Sequence, residues 1–430
     1  MKNSFLVGVL CACCIVVSAQ KLSRVEKKLV QTVERNNANA LQFLEQVVNI
    51  NSGTLHLDGV KEVGQVFANA YNDILFNTRW IEMPETMNRA GHLFAETKGS
   101  KGKKVLLIGH LDTVFEENSP FQQFAMVNDS IAHAPGGNDM KGGDVIMLYA
   151  LKALHENDLL NDVQIIVAYS GDEESAGKPL DISRKDLIEA AKRSDIALGF
   201  ETSTGFNYAT VARRGSSGWE LKTTGKRAHS SGIFSEGVGA GSIFEMSRIL
   251  HQFYTEVKGE ELLTFNPGVM VGGTFTSFDE VTGNATAFGK TNVVAQTSLV
   301  KGGLRFISEE QKQRARDKMS SIVAEHLPLT SAEITFTDSY PAMAPTEGNS
   351  YLLSILNEVS LALGQGEVLA YDPGKRGAAD ISFVASYVDC LDGLGTMGTG
   401  AHTPEETVNL NTFEALTKRT AVLIYRLIQS

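Results

Sequence analysis

Cysteine is scarce: there are 4 in 430 residues, and Cys11, Cys13 and Cys14 all lie close to the N-terminus. Only Cys390 sits in the body of the chain, so an internal disulfide framework is excluded there. Stability has to come from core burial and from any bound metal. Positive charge is in deficit too. With 39 Lys and Arg against 50 Asp and Glu, the net charge is -11 and the isoelectric point is near 5.4. That balance argues against a nucleic-acid-binding protein. Past the N-terminus no apolar run approaches membrane-spanning length. Internal repeats and low-complexity segments are missing as well. The glycine-rich run Gly136-Gly137-Asn138-Asp139-Met140-Lys141-Gly142-Gly143 lacks the Gly-Lys-Ser/Thr of a phosphate loop. What is left is a globular composition, 43% apolar and 21% charged, long enough for two or three domains.

The first residues read separately. Lys2 precedes an apolar run from Phe5 to Val17, and Ser18-Ala19-Gln20 comes next. That is the order of a signal peptide, with cleavage expected after Ala19 and export to the periplasm or medium. The run is too short to span a bilayer. Leu10-Cys11-Ala12-Cys13 also matches, loosely, a bacterial lipoprotein cleavage site, which would put a lipid on Cys13.

The body reads as α/β. Apolar residues at helical spacing run from Val25 to Val47, as two helices broken near Asn36-Asn37, and Val60 to Leu75 forms another. Thr78 to Met83 and His92 to Glu96 read as strands. Val105-Leu106-Leu107-Ile108 is a buried strand that runs into Gly109-His110-Leu111-Asp112. A loop of about 25 residues, long enough to suggest function, then leads to Asp139 and a helix. Val163 to Tyr169 is a second buried strand, ending at Asp172-Glu173-Glu174. Ile196 to Phe200 is a third, ending at Glu201. If these strands are parallel neighbours, their polar ends share one sheet edge, where such sheets bind ligands.

The character changes near Arg213. From Gly215 to Tyr340 the order is strand, helix, two strands, helix, strand. The strand pair is expected at Met270 to Phe278 and Asn292 to Phe306. This is an inserted ferredoxin-like βαββαβ unit of about 125 residues. The expected division is 20–212 with 342–430 for the main domain and 213–341 for the insert. The tail returns to α/β character, with Gly400-Ala401-His402 after a glycine-rich strand end and a last helix from Leu410 to Ile428.

His110, Asp139, Glu174, Glu201 and His402 are the candidate ligands. Taken one at a time, each has a plain structural reading: a capped strand, a helix N-cap, a solvated acidic turn. Taken together, two imidazoles and three carboxylates suit zinc or a similar divalent ion. Five donors exceed one tetrahedral site and fit two ions if one carboxylate bridges. Such a pair can activate water and polarise a carbonyl. Glu173 would then be free as general base, with Asp112 behind His110 fixing its tautomer.

The chain resembles the M20 family of co-catalytic zinc peptidases, above all its glutamate carboxypeptidase group. The resemblance rests on Gly109-His110-Leu111-Asp112-Thr113-Val114, Gly137-Asn138-Asp139-Met140-Lys141-Gly142-Gly143, Gly171-Asp172-Glu173-Glu174-Ser175-Ala176-Gly177, Glu201 and Gly400-Ala401-His402-Thr403-Pro404-Glu405-Glu406. It covers nearly all of the chain beyond the signal segment. It implies a mixed-sheet catalytic domain with a lid and dimerisation insert, and two Zn2+ ions per subunit. Asp139 would bridge them, with His110 and Glu201 on one side and Glu174 and His402 on the other. Glu173 would be the base and Asp112 the residue behind His110. His229, in Gly225-Lys226-Arg227-Ala228-His229-Ser230-Ser231-Gly232, would stabilise the oxyanion from the partner subunit of a homodimer. Asn292 and Arg305 would bind the substrate's carboxylate side, and Gly377 would lie against substrate. Gly303-Leu304 stand where the family usually has an Asp just before this Arg. A Glu at the position of Glu201 is more usual in the family's carboxypeptidases and deacylases than in its aminopeptidases.

The expected function is therefore a secreted dizinc exopeptidase that cleaves the amide before a C-terminal amino acid, glutamate being the group's example. Its substrate would be a small peptide or N-acyl amino acid. An N-acyl-amino-acid deacylase or dipeptidase on the same scaffold is the close alternative, and a non-catalytic binding homologue the remote one.

Overall fold

The structure, a computed structural model, describes residues 21–429. The signal-peptide reading and Cys13 lie outside the described residues. Cys390 is buried and unpaired.

A six-stranded mixed sheet forms the centre. Its order is Asn77–Ile81, His92–Glu96, Val163–Ser170, Lys101–His110, Ile196–Gly199, Asp389–Leu391. The last four strands pair in parallel, and the first two add on antiparallel. The three aliphatic strands read from the sequence are thus parallel neighbours, with Lys101–His110 between the other two. Their side chains are buried on both faces: Leu107 and Val167 on one side, Leu106 and Ile166 on the other. Helices Arg24–Val48, Gly142–Glu156 and Leu410–Ile428 cover the first face.

Arg24–Val48 is one unbroken helix. The expected break at Asn36-Asn37 does not occur because Asn36 is buried and donates its amide to Glu156 Oε1 at 2.8 Å. An asparagine so engaged no longer competes for its own backbone. The helix is also fixed at its start by Ser23 and Glu26, which cap one another.

A second, antiparallel sheet has the order Thr264–Gly273, Thr297–Phe306, Gly215–Gly225, Thr330–Asp338. Helices Ser242–Gln252 and Glu309–Val323 pack on one face around Trp219, Leu221, Met246, Phe253, Val300 and Met319. This is the βαββαβ arrangement. Its second and third strands differ from expectation. The first of the pair begins at Thr264 and stops at Gly273, and a separate hairpin, Phe275–Phe278 with Ala285–Phe288, comes after it. The chain turns there because the Thr274 N–H bonds back to the Phe288 carbonyl at 2.8 Å. Asn292 precedes the next strand instead of opening it, since its carbonyl accepts the Ser230 N–H at 2.9 Å. The two chain crossings between the sheets run side by side, with Arg213 and Met343 exchanging backbone hydrogen bonds of 2.9 and 3.0 Å.

Candidate metal centre

The polar groups converge where the parallel strands end. His110 is the last residue of its strand and is buried. Glu173 and Glu174 lie three and four residues past Ser170, and Glu201 two past Gly199. Asp139 reaches the same place on the glycine-rich loop. A Cβ on Gly143 would stand 2.1 Å from the Phe200 carbonyl, so only glycine lets the start of the following helix press against the segment that carries Glu201. Asp139 is not an N-cap: the helix after it begins at Gly142, and the Asp139 carboxylate faces two histidines.

His110 Nε2 lies 3.3 Å from Asp139 Oδ1 and 3.6 Å from Glu201 Oε1. His402 Nε2 lies 3.1 Å from Asp139 Oδ2 and 3.2 Å from Glu174 Oε2. Two donor groups result, His110 with Asp139 and Glu201, and Asp139 with Glu174 and His402, the donor atoms of each within 4.8 Å of one another. Asp139 offers one oxygen to each.

The electrostatics are those of too many carboxylates in too little water. Burial, and then the repulsion of Asp139, push Glu201 up to about 7. Burial and the nearby Glu201 raise Glu173 well above the usual carboxylate range. Asp139 is the exception. Burial works against its ionised form, but His110 and His402 outweigh this and hold it low. Hydrogen bonds to Asp139 and Glu174 raise His402 to about 11. Glu174 Oε1 is buried with no hydrogen-bond partner among the described residues. Two imidazoles, three carboxylates and an orphaned oxygen fit a pair of first-row divalent cations, which would supply the missing positive charge.

Asp112 does more than stand behind His110. The ring's Nδ1 is 2.9 Å from the Asp112 backbone carbonyl and 3.5 Å from its carboxylate. The carboxylate accepts the N–H groups of Glu173 and Glu174 at 2.9 and 3.1 Å and the Thr54 hydroxyl at 2.7 Å.

Several residues that hold the site were not singled out from the sequence. Glu406 accepts the N–H groups of Asn138, Asp139 and Gly136 at 2.8, 3.1 and 3.3 Å, and so fixes the loop that carries Asp139. Its place in Thr403-Pro404-Glu405-Glu406, just after His402, was the available signal. Arg184, fully buried, pairs with Asp172 and with Asp380, the latter at 2.7 Å. Nothing local distinguishes this arginine from a surface one. Arg213 pairs with buried Asp392. Lys141 donates to the carbonyls of Val47 and Ile50 at 3.0 and 2.8 Å, and burial lowers it to about 7.

The remaining sequence candidates belong to neither donor group. His229 is exposed, its Nδ1 2.8 Å from Ser231 Oγ. Asn292 is exposed beside it, near the Thr297 end of the second sheet. Arg305 is exposed near the opposite end of that strand, paired with Ser216. Gly377 is exposed, and its carbonyl accepts Arg213 Nη1 at 2.9 Å.

This fold is shared with solved peptidases. The aminopeptidase PepT from Bacillus cereus ATCC 10987 aligns with a TM-score of 0.70 at 16% identity, over 92% of this chain and 99% of that one. At that identity the likeness speaks for the fold alone. In sequence, carboxypeptidase G2 of Pseudomonas sp. (strain RS-16) is 24% identical over 388 residues, 89% of this chain and 87% of that protein. A putative succinyl-diaminopimelate desuccinylase of Mycobacterium tuberculosis (strain ATCC 25618 / H37Rv) is 29% identical over 167 residues, 39% of this chain and 44% of that one. The profile of peptidase family M20/M25/M40 matches residues 106–426. The chain belongs to that family and is a hydrolytic enzyme.

Proposed function

We propose that the protein is an exopeptidase of the carboxypeptidase type, cleaving the amide before a C-terminal amino acid at a centre of two divalent metal ions, zinc by donor set. One observation carries this reading: Asp139 is shared between two donor groups, and Glu173, next to Glu174 in the sequence, joins neither. His110 and Glu201 would hold one ion, Glu174 and His402 the other, with Asp139 common to both. Ions bound there would supply Lewis acidity toward water and the scissile carbonyl.

The protein's own groups supply the rest. Glu173 is in neither donor group, so its carboxylate would stay free of metal beside Glu174. That suits a base that removes the water's proton and returns it to the leaving amine. Asp112 fixes Glu173 through its backbone and His110 through its ring. The insert, taken as 213–341 against a catalytic body of 20–212 and 342–430, would act as lid and dimer surface. His229 and Asn292 do not meet the cluster within the chain, which suits delivery from a second subunit. Arg305 and the exposed backbone at Gly377 would meet the substrate's carboxylate side.

Export after cleavage at Ala19 is part of the same reading. Among the described residues no helix is long and apolar enough to cross a membrane. The partial match to a desuccinylase keeps an N-acyl-amino-acid deacylase as the second reading. A panel of N-acyl amino acids, dipeptides and their C-terminal amides, offered to zinc-loaded protein, separates the two. The carboxypeptidase reading expects a free C-terminal carboxylate to be required and the acyl group to matter little. Cleavage of the amides at equal rates contradicts it.

A further inference from the structure

Glu173 is held from two sides. Asp112 Oδ1 takes its N–H at 2.9 Å. Its carbonyl takes the hydroxyl of Tyr340 at 2.7 Å. Tyr340 is not part of the catalytic body's sheet. It comes after the last strand of the inserted sheet, Thr330–Asp338, on the crossing back to the body. Its own carbonyl accepts the Ser216 N–H at 2.8 Å, and Ser216 lies at the start of the first strand of that sheet, one residue after Gly215. One residue therefore touches the outgoing crossing, the returning crossing and the peptide of the candidate base.

The tyrosine is itself anchored. Its ring meets Phe383 edge-on at 4.9 Å between centroids. Arg184 Nη2 lies 3.4 Å from its oxygen and 3.2 Å from the Asp172 carbonyl, while the rest of that guanidinium is tied to Asp172 and Asp380. Burial, and then the charge of Glu173, push the phenol well above its ordinary range, so it remains a donor. The hydroxyl thus accepts from Arg184 and donates to Glu173. Such a chain of bonds polarises each member and fixes direction as well as distance.

We propose that Tyr340 is a positioning residue that fastens the Glu173 peptide to the crossings of the inserted sheet, so that the base keeps its place only while that sheet is seated. This rests on the reading of Glu173 as general base. A shift of about an ångström in such a group is enough to cost up to a hundredfold in rate.

The test is Tyr340→Phe in the full-length, zinc-loaded protein, which removes one oxygen and keeps the ring on Phe383. Amide exchange in the segment 171–177 is expected to quicken roughly tenfold, with the urea midpoint and two zinc equivalents unchanged. On benzoyl-glutamate, kcat is expected to fall roughly tenfold with KM within about twofold. Tyr340→Leu guards against a packing effect. Positioning predicts that both variants quicken the 171–177 exchange alike, whereas packing predicts that only the leucine variant does so. Unchanged 171–177 exchange in Tyr340→Phe overturns the proposal, whatever the rate does. An active Glu173→Ala protein removes the base reading instead, and the exchange result still decides whether Tyr340 clamps the turn.

Discussion

The carboxylate of Asp112 accepts the backbone N–H of Glu173 at 2.9 Å, and its other oxygen accepts that of Glu174 at 3.1 Å. One acidic side chain thereby fixes both the candidate base and a candidate ligand through their peptides, while its own carbonyl orients the His110 ring. Asp112→Asn leaves one acceptor and turns an NH2 toward an N–H. It should lower kcat on N-acyl amino acids by about a hundredfold and weaken metal binding by about tenfold to a hundredfold. A titration of apo protein with zinc, read alongside steady-state rates, checks both numbers. Wild-type values for both would remove Asp112 from the mechanism.

The loop that carries Asp139 depends on Glu406. Glu406→Ala leaves the buried N–H groups of Gly136 and Asn138 and the part-buried one of Asp139 without acceptors, a loss of up to about 1–3 kcal/mol each. The metal-free variant should therefore unfold at lower urea, and its zinc affinity should fall as Asp139 loses its fixed place. An unchanged midpoint together with unchanged affinity would mean that the loop holds itself.

Arg184 is the buried cation beneath the catalytic turn. Arg184→Met leaves Asp172 and Asp380 buried without their partner, and breaking a buried pair in this way costs about 3–5 kcal/mol. The expected outcome is a large drop in urea midpoint, or failure to accumulate folded protein. A midpoint within error of wild type would show that the pair is not needed.

Acid stability has a readable component far from the site. Burial works against the Glu26 carboxylate. Arg426, at 2.7 Å, and the Ser23 cap outweigh it and keep its pKa below the ordinary 4.5. The folded value is thus the lower of the two. The stabilisation is full above the unfolded value and is lost as pH falls through the folded one. Glu26→Gln should be less stable than wild type at neutral pH, with the gap closing below about pH 4.5. Urea midpoints across that range measure it, and a constant gap would contradict the assignment.

If His229 acts across a dimer, mixing His229→Ala with Glu173→Ala protein should restore activity. Random exchange makes half the dimers mixed, each with one intact site, so recovery should approach about a quarter of wild type. Proven subunit exchange with no recovery would place His229 outside the partner's site.

Much of the centre was legible because its ligands sit at strand ends. A run such as Val105 to Ile108 announces a buried strand, and the residues just past its end must lie at the sheet edge. His110, Glu174 and Glu201 were readable on that ground, and the structure brings them together with Asp139 and His402. The groups that act through tertiary contact were not readable. Arg184 finds Asp380 far along the chain, and Tyr340 finds Glu173 across a whole inserted sheet. No periodicity encodes such pairings. The helix break expected at Asn36-Asn37 failed for the same reason, since the partner that keeps Asn36 helical is the distant Glu156.

The central claim is that Glu173 removes the water's proton without holding metal. The most direct measurement is bound zinc and hydrolysis in Glu173→Ala, made on the same preparation. Two zinc equivalents per chain with hydrolysis reduced by at least about a thousandfold is the expected result. Hydrolysis at the wild-type rate, or loss of a zinc equivalent along with activity, would contradict it.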